Sequence, residues 1–205
     1  MTRAVAVIGD IVGSRTYPDR ARAQAAVQAA MTRVNAAIDH LEPLAPTVGD
    51  EFQALYADVE SALCATLLLR LELATPFDCR FGIGAGDVTR IDSSLQDGSA
   101  WWSARDAIVE AKRRESGSTR SLRTWFVSAE GAAAASVTNA YLLCRDELVA
   151  RLDDRGRRLL LGTMWGATQS ELAEREGITQ SAVSQKLARS GVHAILASTD
   201  QLTKG

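Results

Sequence analysis

The chain has 205 residues, with 46% hydrophobic, 23% charged and 5% aromatic side chains, a globular composition too apolar for a disordered polymer. Its net charge of −2 excludes a uniformly basic nucleic-acid coat protein, and its length suits one large domain with a compact appendage. The charge is uneven, 15 Lys/Arg against 19 Asp/Glu over residues 1–148 but 8 against 6 over residues 149–205, so the tail is mildly basic. Lys112, Lys186 and Lys204 are the only lysines, which leaves most positive charge to Arg, a side chain suited to planar phosphate contacts. The apolar run over residues 62–69 is far shorter than the roughly 20 residues that span a bilayer, and no leader-like stretch opens the sequence. A soluble cytoplasmic protein without a membrane partner is expected. Cys64, Cys79 and Cys144 sit among apolar neighbours, and His40 and His193 are the only histidines, so core thiols are expected rather than disulfides or zinc ligands.

Residues 4–8 form an apolar run ended by Gly9-Asp10, which predicts a buried strand. Asp19 is placed to cap a helix whose apolar positions recur at helical spacing over residues 23–38, before Pro43 and Pro46 stop it. Residues 47–56 read as a hairpin of two short strands around Gly49-Asp50. A helix over residues 59–74 ends at Pro76, and residues 78–85 alternate as a strand, after which Gly84 and Gly86 lead into a loop reaching Gly98. A helix over residues 101–113, a break at Gly117-Ser118, a strand over 124–127 and an Ala-rich helix over 131–151 follow. The order strand, helix, hairpin, helix, strand, helix, strand predicts an α/β (α+β) sheet with helices mainly on one face. No G-x-G-x-x-G fingerprint follows the first strand, so the pattern is not that of a dinucleotide-binding fold.

Asp10 ends the first strand and Asp50 sits at the hairpin tip with Glu51 beside it, so neighbouring strands would bring two carboxylates to one edge of the sheet. Hard oxygen ligands of this kind suit Mg²⁺ or Mn²⁺, which complete their shell with water and substrate phosphates. Gly13 and Ser14 allow backbone N–H groups to approach a phosphate at the start of the next helix. Arg15, Arg105, Lys112, Arg113 and Arg114 are candidate charge partners. The plain alternative is that Asp10 caps a turn and Asp50 simply occupies a Gly-Asp hairpin.

Val7-Ile8-Gly9-Asp10-Ile11-Val12-Gly13-Ser14 resembles the first metal-binding motif of class III nucleotidyl cyclases. Val48-Gly49-Asp50-Glu51-Phe52 resembles their second motif, and also the acidic hairpin of diguanylate cyclases. Residues 80–88, Arg-Phe-Gly-Ile-Gly-Ala-Gly-Asp-Val, look like the glycine-rich cyclase strand, and Ser103-Ala104-Arg105 is similar to the helix bearing a transition-state Arg. In overall order the chain resembles the SatD family, small bacterial proteins with a cyclase-like domain of palm or ferredoxin-like type and a C-terminal helix-turn-helix. The resemblance implies Asp10 and Asp50 as metal ligands for Mg²⁺ or Mn²⁺ and Arg105 facing a phosphate. It implies a purine nucleotide or nucleotide second messenger beside Ile11, Gly13, Ser14, Arg15, Glu51 and Lys112. Two positions depart from the cyclase pattern. Trp101 stands where an Asn orients the ribose, and Pro46 where many cyclases have a base-selecting Lys. A nucleotide sensor is therefore expected ahead of a conventional cyclase, and Trp101 and Trp102 are expected to pack or stack.

Residues 169–187 carry a small all-α signature. Leu172 and Ala173 lie in a first helix, Gly177 makes the turn, and Val183 and Leu187 face inward from a second. Thr168 and Thr179 are placed as N-caps. The stretch resembles sigma-factor region 4, which implies that Thr179, Gln180, Ser181, Ser184, Gln185, Lys186 and Arg189 meet double-stranded DNA, with Arg158 on the phosphates. The bland alternative is a helical hairpin used for dimerisation. The expected organisation is a cyclase-like domain over 1–128, a connecting helix over 129–150 and a helix-turn-helix over 151–205. The expected function is a homodimeric DNA-binding regulator that senses a nucleotide with Mg²⁺, and the alternative is an active cyclase or nucleotidyltransferase linked to such a tail.

Overall fold

Alternating Val, Ala and Ile residues favour extended backbone, and Thr2–Ile11 forms β1, buried on both faces from Ala4 to Gly9. Around it, the unit Met1–Cys144 contains α1 (Arg20–Asn35), β2 (Glu42–Pro46), β3 (Glu51–Tyr56) and α2 (Val59–Glu72). It continues with β4 (Cys79–Arg90), β5 (Gln96–Asp97), α3 (Ser99–Glu115) and β6 (Thr124–Ser128). The division from the second unit falls between Cys144 and Arg145, within α4 (Ala132–Ala150). This computed structural model describes residues 2–14, 19–73, 77–91 and 96–202, so Arg15 lies outside the described residues.

The strands run β2-β3-β1-β4 with antiparallel neighbours, β6 adds to β4 in parallel, and β5 pairs with the far end of β4. The first four strands have the ferredoxin-like order, extended by the short β5, by α3 and by β6. On one face Ala4, Ala6 and Ile8 pair with Gly86, Gly84 and Gly82, and α3 packs there through Ala100, Ala104 and Ile108. A Cβ on Gly82 would lie 2.2 Å from the Ala104 carbonyl oxygen, and one on Gly84 would lie 2.1 Å from the Ala104 nitrogen. The bare strand therefore lets the α3 backbone rest directly on the sheet. This corrects the expected loop after Gly84 and Gly86, since close approach to a helix, and not a turn, is what requires these glycines. The opposite face carries buried Val5, Val7, Phe52, Phe81 and Ile83 and meets α2, with α1 beside it. Helices thus cover both faces, a correction to the expectation of mainly one.

The first strand of the hairpin is Glu42–Pro46, not the Thr47-Val48 end that composition suggested. Two prolines are tolerated because β2 is the outer strand, where a missing N–H breaks no ladder between two neighbours. Thr47 N donates to Glu51 O at 2.9 Å and closes a short loop of Val48, Gly49 and Asp50. Both outer strands are shielded by an asparagine carboxamide. Asn35 accepts from Leu44 N at 2.8 Å and donates to Leu44 O at 2.9 Å, and Asn139 on α4 does the same to Phe126 N and O at 2.9 and 2.8 Å. Each side chain stands in for the next strand and satisfies the exposed ladder at its middle residue. Cys64 and Cys79 are buried as expected, but Cys144 is exposed, because it shares the outward stripe of α4 with Val137 and Ala140. Among the described residues no helix is long and apolar enough to cross a membrane.

In the second unit, α5 (Asp154–Met164), α6 (Gln169–Glu176), α7 (Gln180–Arg189) and α8 (Val192–Leu202) surround Leu159, Leu160, Leu172, Val183, Leu187, Val192 and Ile195. Asp153 caps α5, Thr168 and Glu171 form a capping box on α6, and Thr179 caps α7. Gly177 ends α6 in the left-handed region at φ 63°, which an L side chain rarely adopts.

The contact between α3 and β4 yields a stability test. Gly84→Ala should destabilise the protein by about 3 kcal/mol through overpacking, whereas Gly117→Ala, whose Cβ would meet nothing closer than 3.4 Å, should be neutral within about 0.5 kcal/mol. Urea unfolding of both variants measures the difference.

Candidate functional site

The register of three strands sets one polar row. Asp10 on β1 pairs with Glu51 on β3 and with Arg80 on β4, all on the face that carries α3. Asp50, in the loop just before Glu51, accepts a hydrogen bond from Ser14 Oγ through Oδ2 at 2.5 Å. Ser14 follows Gly13, which turns the chain at φ 69° directly after β1. The helix α3 contributes Arg105, whose guanidinium forks onto both oxygens of Glu51 at 2.9 Å. Lys112, two turns further on, is near enough to act electrostatically on Asp10.

Asp10 is held harder than the sequence suggests. Arg80 Nη1 donates to both of its oxygens at 3.0 and 2.9 Å, and the Arg80 side chain is only 8% exposed. Arg80 in turn donates to Glu115 through Nε at 2.9 Å and through Nη2, and Glu115 accepts from Arg123 at 3.1 Å. Asp78 then bridges Arg123 and Arg70, both at 2.9 Å. The result is a continuous chain, Asp10, Arg80, Glu115, Arg123, Asp78, Arg70, in which acids and guanidiniums alternate. Arg80, Glu115, Asp78 and Arg123 were not assigned a role by motif or spacing. The period of β4 was the signal for Arg80, since it lies two residues before Gly82 and so faces α3 with the glycines.

Burial raises the Asp10 carboxyl above the ordinary carboxylate range, Arg80 opposes this, and the nearby Asp50 charge reinforces it, with Lys112 again opposing. Glu51 is held below its usual range, mainly by the Arg105 hydrogen bonds. Asp10 and Asp50 are therefore close enough to repel, the condition a cation relieves. Among the described residues no group of three His, Cys, Asp or Glu side chains could hold a metal by itself. Two carboxylates fit a hard divalent ion only if water and phosphate oxygens complete its shell.

Of the expected nucleotide-site residues, Asp10, Asp50, Ser14, Glu51, Arg105 and Lys112 converge, and Gly13 lies on the adjoining turn. The Ile11 side chain is buried, so only its backbone remains to serve a ligand. Arg113 and Arg114 pair with Glu110, and Arg114 also stacks at 3.9 Å over Trp125, so neither is drawn into the row. Trp101 packs against the α3 core, whereas Trp102 stays exposed with its indole N–H on Asp97. In the second unit Gln180, Ser181, Ser184, Gln185 and Arg189 are exposed along α7. Thr179 is engaged as a cap, Lys186 pairs with Asp153, and Arg158 forks onto Glu176 at 2.7 Å through two nitrogens.

Asp50→Asn should lower the Asp10 carboxyl pKa, because a neighbouring negative charge favours the protonated form, and Lys112→Met should raise it. Carboxyl ¹³C titration by NMR reads both signs; an Asp10 pKa unmoved by Asp50→Asn would separate the two carboxylates.

The chain is similar to several solved structures. A bacterial light-regulated adenylyl cyclase aligns with TM-score 0.47 and 14% identity over 68% of this chain and 80% of that one. The diguanylate cyclase SiaD of Pseudomonas aeruginosa, solved in complex with its activator SiaC, aligns with TM-score 0.45 and 18% identity over 62% and 50%. An EAL/GGDEF domain protein from M. capsulatus aligns with TM-score 0.39 and 14% identity over 55% and 80%. At these scores the fold rests on the strand order itself. No curated protein matches the chain at a significant level. The SatD family profile matches residues 4–204, nearly the whole length, and the chain belongs to the SatD family.

Proposed function

We propose that this protein is a DNA-binding regulator whose first unit senses a purine nucleotide, or a nucleotide second messenger, together with Mg²⁺ or Mn²⁺. The observation that carries the reading is that Asp10 at the end of β1, Asp50 in the loop before β3 and Arg105 on α3 meet at one end of the sheet, beside a glycine-containing turn and within electrostatic reach of Lys112. Asp10 and Asp50 would hold the cation, which would supply charge neutralisation for the phosphates. Ser14 orients Asp50, and Arg80 orients Asp10. Arg105 reaches a phosphate only by exchanging it for Glu51, a matching planar acceptor. Trp101 counts against conventional cyclase chemistry, because its indole supplies no carbonyl acceptor for a ribose.

The tail reading rests on the capped pair α6 and α7 and on the exposed polar stripe of α7, which suits a recognition helix in a major groove. Double-stranded DNA is the proposed partner. Two copies reading paired half-sites are part of this proposal, as helix-turn-helix dimers commonly bind. Arg189 is the cation best placed on the stripe to meet a phosphate, whereas Arg158 must first leave Glu176.

Calorimetry should show binding of a nucleoside triphosphate with Mg²⁺ to the wild type and its collapse in Asp50→Asn, with thermal unfolding nearly unchanged. Incubation of each triphosphate with Mn²⁺, followed by mass spectrometry, should return it intact; a cyclic or linear nucleotide product would establish the enzyme instead. On a selected operator, Gln185→Ala should cost about 1–3 kcal/mol and relax the preferred sequence, while Arg189→Ala should weaken all DNA alike and flatten the salt dependence. Failure to enrich any DNA sequence with the wild-type protein would return the tail to a dimerisation hairpin.

A further inference from the structure

We propose that Arg80 is the resident cation of the acidic site, so that the site takes a single divalent ion and takes it only together with the phosphates of a nucleotide. The inference rests on the metal-nucleotide reading above and adds to it the number of ions and their order of binding.

Arg80 is fixed. Its side chain is 8% exposed, Nη1 is shared between both oxygens of Asp10, and Nε and Nη2 are both committed to Glu115. Glu115 is anchored in turn by Arg123. A guanidinium held at three nitrogens from two sides has no rotamer left in which to swing toward a ligand. It sits as a permanent positive charge against the first of the two carboxylates.

The charge sum follows from the same contacts. Three carboxylates, Asp10, Glu115 and Asp78, alternate with three guanidiniums, Arg80, Arg123 and Arg70, and their formal charges cancel. Glu51 is matched by Arg105. Asp50 differs, because its side-chain hydrogen bond among the described residues is to the neutral Ser14 hydroxyl. Among the described residues the site therefore offers a divalent ion about one net negative charge, with Lys112 near enough to Asp10 to reduce it further. Polyphosphate supplies the missing charge, which makes the metal-nucleotide complex, and not the bare ion, the species this site selects. A second ion would have to approach Asp10 from beside a guanidinium already seated on both of its oxygens.

The test uses the full chain and Mn²⁺ as the probe, read by electron paramagnetic resonance and so independent of any turnover. Mn²⁺ alone should bind the wild type weakly, and with a saturating nucleoside triphosphate one Mn²⁺ per chain should be held. Arg80→Gln should bind Mn²⁺ alone at least about tenfold more tightly, since a unit positive charge within hydrogen-bond distance of a ligand is removed. Arg80→Lys keeps the charge and should bind bare Mn²⁺ as weakly as the wild type, although one ammonium cannot repeat the contacts of three guanidinium nitrogens. Two ions per chain in the wild type with nucleotide, tight binding of Mn²⁺ alone to the wild type, or equal Mn²⁺ affinity in wild type and Arg80→Gln would each overturn the proposal. Where thermal melting shows that Arg80→Gln does not fold, the wild-type stoichiometry and its affinity for bare Mn²⁺ decide by themselves. Absence of nucleotide binding would remove the sensor reading, while the comparison of bare Mn²⁺ across the three proteins would still judge Arg80.

Discussion

The charges that α3 brings to the candidate site depend on how closely this helix lies on β4. Gly82, Gly84 and Gly86 leave the middle of one face of that strand bare, between Arg80 and Val88, and the Ala100, Ala104 and Ile108 stripe of α3 fills the space with backbone nearly touching backbone. Arg105, Lys112 and Glu115 all ride on this helix. A helix held further off by side chains on the glycine positions would carry the same groups away from their partners on the sheet. Here Arg105 spans to Glu51, and Glu115 meets Arg80. A packing constraint between small residues is thus what makes the electrostatic arrangement possible.

The electrostatics then work by alternation. A half-buried carboxylate such as Asp10 is costly unless matched, and a buried guanidinium such as Arg80 is costly alone. Linking them through Glu115, Arg123, Asp78 and Arg70 spreads the compensation from the end of β1 to α2, across strands β1 and β4 and the end of α3. Such a chain holds the Asp10 carboxylate in one orientation, which is the property a ligand-binding group needs. It also means that Asp10 and Asp50, which look equivalent as an acidic pair, are physically unlike: one is clamped by a cation, the other is steadied by a hydroxyl.

The sheet itself is closed off at both sides by the same device, a carboxamide that donates and accepts at one residue of the outer strand. Asn35 comes from the last turn of α1 and Asn139 from the middle of α4, so unrelated segments reach one solution to the exposure of unpaired backbone. This tie to β6 also explains why the start of α4 belongs with the first unit.

Much of this was legible in residue order alone. Asp19, Thr168 and Thr179 announced helix starts through their capping chemistry, Gly177 announced a left-handed turn, and the acidic positions Asp10 and Asp50 stood out by their place after a strand and inside a hairpin. These are local signals, carried by a residue and its near neighbours in sequence. The length of β4, the place of β2 and the covering of both faces were not legible, because glycine and proline mark breaks unless a packed helix or an outer edge gives them another role. Nor was the partner of Asp10: Arg80 lies 70 residues away, and only the antiparallel register of β1 against β4 brings the two onto one row. Local composition determined which segments form and where they end; the pairing of distant strands decided which charges meet, since a carboxylate's strength and orientation are set by what surrounds it in space.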